Sequence, residues 1–224
     1  MKWLMDALAS SVGKKFVMAI TGFLLCGFLA AHLAGNLLLY VGAEEYNGYA
    51  HKLHSQEELI KIAEVGLILL FGAHIALAFR TSRDNKSARS VPYQMKVSKI
   101  ENPDSPVRAE TWMFVSGAMV LGFVLLHLAD FTFMVRPDID YSILEGQEYQ
   151  KAITILKTPI SLAIYIVGCI VLWCHLSHGV ASAFQSLGIN HPKYNGLIKW
   201  GSRLFAAIIG IGFLSFPIWA IFQK

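Results

Sequence analysis

Residues 171–188, VLWCHLSHGVASAFQSLG, contain two histidines but no Asp, Glu, Lys or Arg. They lie within an uncharged run from 158 to 190. An α-helix needs about 20 mostly apolar residues to cross the hydrocarbon core of a bilayer. The run therefore predicts a transmembrane helix that carries His175 and His178 inside the membrane. Ionisable side chains at that depth are costly and indicate function by default.

The remainder of the chain contains four more apolar runs. Of its 224 residues, 55% are hydrophobic and only 15% are charged, a composition typical of membrane proteins. We predict an all-α polytopic membrane protein with a single domain over 1–224, in which the first four helices form a bundle. The predicted transmembrane helices are 16–41, 59–80, 111–135, 158–185 and 203–222. The first is longer than the apolar region of a signal peptide. All three cysteines lie inside spans, so no disulfide framework is expected.

The charges between the spans predict the orientation. Five spans place the termini on opposite sides. The N-terminal side carries 13 of the 19 basic residues, and 10 of the 15 acidic residues lie on the other side. The positive-inside rule therefore places the N-terminus and the 81–110 loop in the cytoplasm. That loop is either a solvated connection or a docking surface for a soluble partner.

Histidines occur at two depths in the predicted spans. At about 1.5 Å per residue, His32 and His127 fall in the outer half of the membrane. His74 and His178 fall in the inner half. Each depth therefore offers two imidazoles from different helices. Haem iron, which needs two axial ligands from the protein, fits this arrangement better than zinc, which needs three or four. His175 and His178 share a helix face, and spacing alone favours His178 without excluding His175.

Several motifs resemble a known family. They are SSVGKKFVMAITG (10–22), LAAHLAGNLLLY (29–40), YNGYAHKLHS (46–55), AEVGLILLFGAHIALAFR (63–80) and HLSHGVASAFQSLG (175–188). Together they resemble the di-haem cytochrome b membrane anchor of succinate dehydrogenases and fumarate reductases, in its single-subunit, five-helix form. The resemblance extends from about Ser10 to the end of the fifth helix.

The resemblance implies a specific set of ligands and partners. Two haem b groups would be held by His74 with His178 near the cytoplasm and by His32 with His127 near the outer side. The implied partners are a flavoprotein that carries FAD and an iron–sulfur protein, both on the cytoplasmic side of a bacterial inner membrane. The chain would then be the quinone-reactive anchor of a respiratory complex II, with the dicarboxylate site on another subunit. Membrane lipid is a further partner, and no nucleic acid is expected.

Quinone chemistry needs a group that exchanges protons as electrons move. Glu64 is the predicted candidate, because it lies ten residues before His74 and so about 15 Å further outward. The alternative is an interfacial Glu64 paired with Lys61. Weaker candidates are Asn36, His54, Ser55 and Asp130, and the family resemblance favours menaquinone. Candidate partners for haem propionates are Arg80, Arg83, Ser182 and Arg203.

Two other classes of protein share part of this pattern. The cytochrome b anchor of a hydrogenase or a formate dehydrogenase also stacks haems, and only the run of motifs distinguishes it. A non-redox proton carrier could use buried histidines as a relay. An optical difference spectrum separates the two classes, because a carrier lacks a b-type α band.

Overall fold

A computed structural model describes residues 2–88, 109–144 and 146–223, in which all regular structure is helical. The central part of the predicted 81–110 loop, residues 89–108, lies outside the described residues. The helices are α1 (Lys2–Ala9), α2 (Ser11–Asn36), α3 (Ala43–His54), α4 (Glu57–Ser87), α5 (Ala109–Phe131), α6 (Glu148–Lys157), α7 (Pro159–Ser186) and α8 (Pro192–Ala220). Short 3₁₀ turns cover Leu37–Tyr40 and Ser142–Leu144.

The predicted all-α membrane fold is confirmed. Five helices, α2, α4, α5, α7 and α8, are long and apolar enough to cross a membrane, and they coincide with the five predicted spans. Their bounds differ from the prediction at several ends. Helix α4 continues to Ser87, and α8 already begins at Pro192, because polar residues extend both helices beyond the apolar segment. Helix α5 ends at Phe131, four residues before its predicted end.

Local sequence signals explain where three of these helices begin. Ser10 caps α2, since its hydroxyl accepts a hydrogen bond of 3.0 Å from the Gly13 amide. Gly13 also permits a close approach of the α1 backbone, which a Cβ atom would obstruct at the Ala7 carbonyl. Pro159 and Pro192 stand in the first turns of α7 and α8, where proline costs no hydrogen bond.

The helices α2, α4, α5 and α7 surround the interior that carries the histidines. Helix α2 packs against α4 and α7, and α5 packs against α7. Helix α8 lies outside this group and packs closely on α7, where Gly210 receives the Trp173 side chain. In the described part of the chain, α4 and α5 share no comparable packing. Near one end they meet through Phe79 and Phe114, whose ring centroids are 5.1 Å apart.

The two ends of the bundle differ in their covering. We call the end where α2 begins and α4 ends the basic end, and the opposite end the acidic end. At the basic end Lys14 of α2 forms an ion pair of 2.7 Å with Asp84 of α4. At the acidic end α3 and α6 pack against each other, and α6 buries Ile153 and Ile155 against the bundle. The acidic end is therefore closed by short helices.

Candidate functional site

At the acidic end, His32 of α2 and His127 of α5 meet in the interior. Their ring centroids are 5.9 Å apart, and the ring planes are inclined by 78°. A metal–imidazole bond is about 2 Å long, so two rings that share one metal atom have centroids roughly 6 Å apart. Phe28 and Phe213 pack on the His32 ring at 5.4 and 5.6 Å. This acidic-end pair therefore has a spacing that suits a shared ligand atom in an apolar setting.

At the basic end, the interior histidines are His74 of α4 and His175 of α7. The Nδ1 atom of His74 lies 3.0 Å from the Thr21 hydroxyl of α2. The Nδ1 atom of His175 lies 3.1 Å from the Ser116 hydroxyl of α5. His74 and His178 are both close enough to His175 to interact with it electrostatically. We call His74 and His175 the basic-end pair.

The hydroxyl partners favour a proton on Nδ1 of each ring. Thr21 donates its own proton to the Met18 carbonyl at 2.9 Å, and Ser116 donates to the Met113 carbonyl at 3.2 Å. Each hydroxyl oxygen is then left to accept a proton from the imidazole Nδ1. Nε2 of each ring consequently keeps its lone pair. A neutral imidazole held in this way is the usual form of a metal-ligating histidine.

The structure places His178 differently from the sequence-based choice. His178 is exposed on the surface of α7, and its Nδ1 contacts the carbonyl of Cys174 in the same helix at 3.1 Å. His175 is half-buried and faces α5, where Gly117 leaves room beside its ring. The geometry thus favours His175 for the position next to His74. Whether either histidine binds a metal stays a prediction.

Two helices independently give the distance between the two layers. On α2, His32 follows the His74 contact at Thr21 by 11 residues. On α5, His127 follows the His175 contact at Ser116 by 11 residues as well. At about 1.5 Å per residue this is roughly 16 Å along each helix. His74 and His175 therefore lie at one level of the bundle and His32 and His127 at another, and their depths in a membrane stay a prediction.

The number of donor side chains in each layer limits which metals could bind there. The described residues contain no cluster of three or more His, Cys, Asp or Glu side chains that could hold a metal ion. Each layer offers two imidazoles, fewer than a zinc site normally needs. The loose packing between α4 and α5 leaves the interior faces of these helices accessible. Two axial nitrogens beside such a gap fit a flat macrocycle that supplies its own equatorial ligands.

The glycines near the histidines face different side chains. Gly22 of α2 faces the His74 ring, and Gly117 faces the His175 ring. Gly35 of α2 receives the Tyr49 ring. Gly179 faces the Met113 side chain. Small residues in this bundle thus serve helix packing as well as the histidines.

His127 is joined to a buried ion pair at the acidic end. The Tyr165 hydroxyl lies 3.3 Å from His127 Nδ1 and donates to an Asp130 carboxylate oxygen at 2.9 Å. Arg136 donates to the other Asp130 oxygen at 3.1 Å and to the Ser161 hydroxyl at 2.5 Å. The Asp130 side chain is 0% exposed and that of Arg136 is 10% exposed. We call this chain of contacts the Asp130 relay.

The relay ends at the surface of the protein. Arg136 also pairs with the exposed Asp138 through two of its guanidinium nitrogens. The hydrogen bonds from Arg136 hold the pKa of Asp138 below its usual value, and the same contact raises the pKa of Arg136. A continuous line of polar contacts therefore connects His127 with the solvent at the acidic end.

The other acidic-end ligand candidate, His32, has a neutral partner. The Asn36 amide nitrogen donates to the His32 carbonyl at 2.8 Å and lies 3.4 Å from the ring Nδ1. The Tyr46 hydroxyl donates to the Asn36 side-chain oxygen at 3.4 Å. Burial raises the pKa of Tyr46 to about 12, so its hydroxyl stays protonated at neutral pH.

Comparisons of this chain with protein families, with curated proteins and with solved structures found no match. The fold stands on the structure alone. The resemblance to a di-haem anchor is carried by the motifs quoted above.

Glu64 is exposed on α4. The predicted alternative, a pair with Lys61, is not formed, because Lys61 binds Glu57 at 3.2 Å. No other described residue forms a hydrogen bond or an ion pair with Glu64. His54 and Ser55 are exposed at the end of α3. The role of Glu64 in a quinone site stays a prediction.

A basic cleft opens between α4 and α5 at the basic end. Its volume is about 480 Å³, and its walls include Arg83, Lys86, Phe79 and Phe114. Of the four predicted propionate partners, Arg83 lines this cleft. Arg80, Ser182 and Arg203 are exposed on α4, α7 and α8.

Sequence reasoning did not identify Thr21, Ser116 or Tyr165. Thr21 and Ser116 are polar residues at membrane depth, and both are buried. Each stands 11 residues before a histidine of its own helix, a repeat that could have revealed them. Tyr165 gave no comparable signal, because its partners His127 and Asp130 lie on another helix.

Proposed function

We propose that this chain is a membrane cytochrome b that carries electrons between a soluble partner and membrane quinone through two b-type haems. The proposal is supported by one observation above all: His32 and His127 meet at one level of the bundle, and His74 and His175 contact Thr21 and Ser116 about 16 Å away along α2 and α5. In this proposal His32 and His127 would hold one haem, and His74 and His175 would hold the other. His175 takes the place that the sequence suggested for His178.

The protein residues have defined tasks in this proposal. The haems supply one-electron chemistry when bound. Thr21 and Ser116 orient the basic-end rings by accepting hydrogen bonds from Nδ1, which leaves the Nε2 lone pair available. At the acidic end Phe28 and Phe213 exclude water beside His32. The positive charge of Arg83 and Lys86 suits anionic groups at the basic end.

The wider assignment follows from the motifs. We propose that the chain anchors a succinate dehydrogenase or a fumarate reductase in a bacterial cytoplasmic membrane. A flavoprotein and an iron–sulfur protein then bind at the basic end, which the positive-inside rule orients towards the cytoplasm. Menaquinone is the favoured quinone, and Glu64 is the candidate proton-exchanging group.

A spectrum of the purified protein tests the proposal. The chain is expressed with haem supply, extracted in detergent and reduced with dithionite. We expect a b-type α band in the reduced-minus-oxidised spectrum and two haems per chain. His32→Ala and His127→Ala should each leave about one haem per chain. A purified, folded chain without a b-type band contradicts the proposal and favours a non-redox carrier.

A second experiment tests the partners and the quinone. The chain is purified under mild conditions from its native membrane, and the bound proteins are identified. A flavoprotein and an iron–sulfur protein, together with succinate oxidation or fumarate reduction coupled to menaquinone, support the wider assignment. A hydrogenase or formate dehydrogenase subunit in their place would keep the cytochrome b proposal and overturn the complex II assignment.

A further inference from the structure

The Asp130 relay is more elaborate than the contacts of the other interior histidines. Thr21 and Ser116 are neutral partners whose hydroxyls donate hydrogen bonds to carbonyls of the same helix. Tyr165 instead donates a hydrogen bond to a fully buried carboxylate on a different helix. Burying a carboxylate is costly unless it is paired and hydrogen-bonded. The arrangement therefore needs a reason beyond filling space.

The directions of the hydrogen bonds give that reason. Arg136 cannot lose its proton, so it donates to Asp130. Asp130 accepts a second hydrogen bond from Tyr165, which fixes the direction of the Tyr165 hydroxyl. With its proton engaged, Tyr165 can only accept from His127 Nδ1. The Nε2 lone pair of His127 then faces away from Tyr165.

We infer that Asp130 is a positioning residue for His127 and that it acts through Tyr165. Its carboxylate fixes the Nδ1-protonated form of the imidazole and increases the basicity of Nε2, as a carboxylate behind a metal-bound histidine does. The inference rests on the proposed function, because it concerns a haem ligand. It predicts that the relay lowers the reduction potential of the acidic-end haem, since greater electron donation from the ligand stabilises the oxidised iron.

The chain offers a matched control for this inference. The Tyr141 hydroxyl is buried beside the Arg136 backbone, near the same ion pair, and is not hydrogen-bonded to any side chain among the described residues. Tyr141→Phe and Tyr165→Phe each remove one buried hydroxyl. Only Tyr165→Phe interrupts the path from Asp130 to His127. The basic-end haem serves as an internal control in both variants.

Spectroelectrochemical titration of the purified protein, with low-temperature electron paramagnetic resonance of each haem, tests the inference. We expect Tyr165→Phe to raise the potential of the acidic-end haem by a tenfold or larger change in its reduction equilibrium, which is about 59 mV for one electron. The potential of the basic-end haem should stay unchanged. Tyr141→Phe should leave both potentials at their wild-type values.

The outcomes separate the inference from the proposed function. A wild-type protein without haem overturns the proposed function and the inference with it. A wild-type protein with two haems, whose potentials and g values are unaltered in Tyr165→Phe, overturns the inference alone. Equal shifts in Tyr165→Phe and Tyr141→Phe also overturn it, because they show a general effect of lost hydroxyls. Asp130→Asn is a second test. In this variant the reduction potential of the acidic-end haem alone should rise.

Discussion

At the basic end, His74 and His175 each contact one neutral hydroxyl from a neighbouring helix, whereas at the acidic end His127 is joined to a buried ion pair. The two arrangements leave Nε2 free in the same way. They differ in charge and in the number of helices that must be in place. The basic-end contacts form as soon as two helices meet, and the Asp130 relay also needs the chain after α5 to fold back.

The same type of side chain, histidine, is therefore held by different hydrogen-bond partners at the two ends of the bundle. A hydroxyl that donates to its own helix carries no net charge and costs little to bury. A buried carboxylate with its guanidinium partner gives stronger control of the imidazole and depends more on complete pairing. We therefore expect the acidic end to be the more sensitive of the two to single substitutions around the histidines.

The largest expected effect concerns the basic-end ligands. His175→Ala should abolish the basic-end haem, because its Nε2 is the proposed axial ligand. His178→Ala is the matched control, and it should retain both haems because His178 lies on the exposed surface of α7. Haem content per chain and the α band measure the difference. The reverse result, with haem lost only from His178→Ala, would restore the assignment suggested by the sequence.

The next effect concerns the stability of the acidic end. Asp130→Ala removes the buried carboxylate partner of Arg136 and leaves it only the exposed Asp138, and breaking a buried pair costs about 3–5 kcal/mol. Arg136→Met should cost a similar amount, because it leaves Asp130 unpaired. Removing both charges in Asp130→Ala with Arg136→Met should recover much of the loss, because neither charge is then buried without the other. Reversible unfolding in mixed detergent micelles gives the free energies, and additive single losses would argue against coupling.

Substitution of the basic-end hydroxyls should have a smaller effect. Thr21→Val keeps the shape of the side chain and removes the acceptor for His74 Nδ1. Loss of such an outer contact typically lowers metal affinity 10–100-fold, and we expect about tenfold here because the partner is neutral. Haem transfer to an excess of a haem-scavenging protein measures the retention. Thr81→Val is a suitable control, since Thr81 is also buried on α4 but bonds to the Leu77 carbonyl.

The smallest expected effect is the pH dependence of the surface end of the relay. The pKa of Asp138 is lower in the folded protein because Arg136 donates to its carboxylate. Its stabilising contribution is therefore present above the unfolded pKa of about 3.9 and is lost as the pH falls through the folded value. The thermal midpoint of Asp138→Asn should lie slightly below that of the wild type at pH 6. The two midpoints should converge in acid, and a constant difference would exclude this ionisation as the cause.

The membrane fold could be predicted from the sequence because each span is defined by its own composition. The ends of α4 and α8 could not, since hydropathy reports the hydrocarbon core and not the polar turns that continue a helix beyond it. The end of α5 was missed for a different reason. Residues 132–135 remain uncharged, and 133–135 are apolar, although the helix stops at Phe131; Met134 adopts a left-handed backbone conformation with φ of 50°.

The sequence predicted two groups of interior histidines along the helices, but it could not distinguish which histidine of α7 faces α5. His175 and His178 are separated by three residues, which places both near the same face of a helix. The distinction depends on Ser116 and Gly117 of a different helix. The Asp130 relay was beyond prediction because it joins residues from α5, α7 and the segment after Met134. Only the return of the chain at that point brings Arg136 to Asp130.

The separation of the two layers has an energetic consequence in a living cell. About 16 Å is roughly half of a hydrocarbon core that is about 30 Å thick. A charge that crosses the whole membrane gains or loses about 2.3 kcal/mol per 100 mV. Under the proposed function, each electron that passes between the layers would therefore exchange roughly 1 kcal/mol with a voltage of that size, and the membrane potential would bias the direction of turnover.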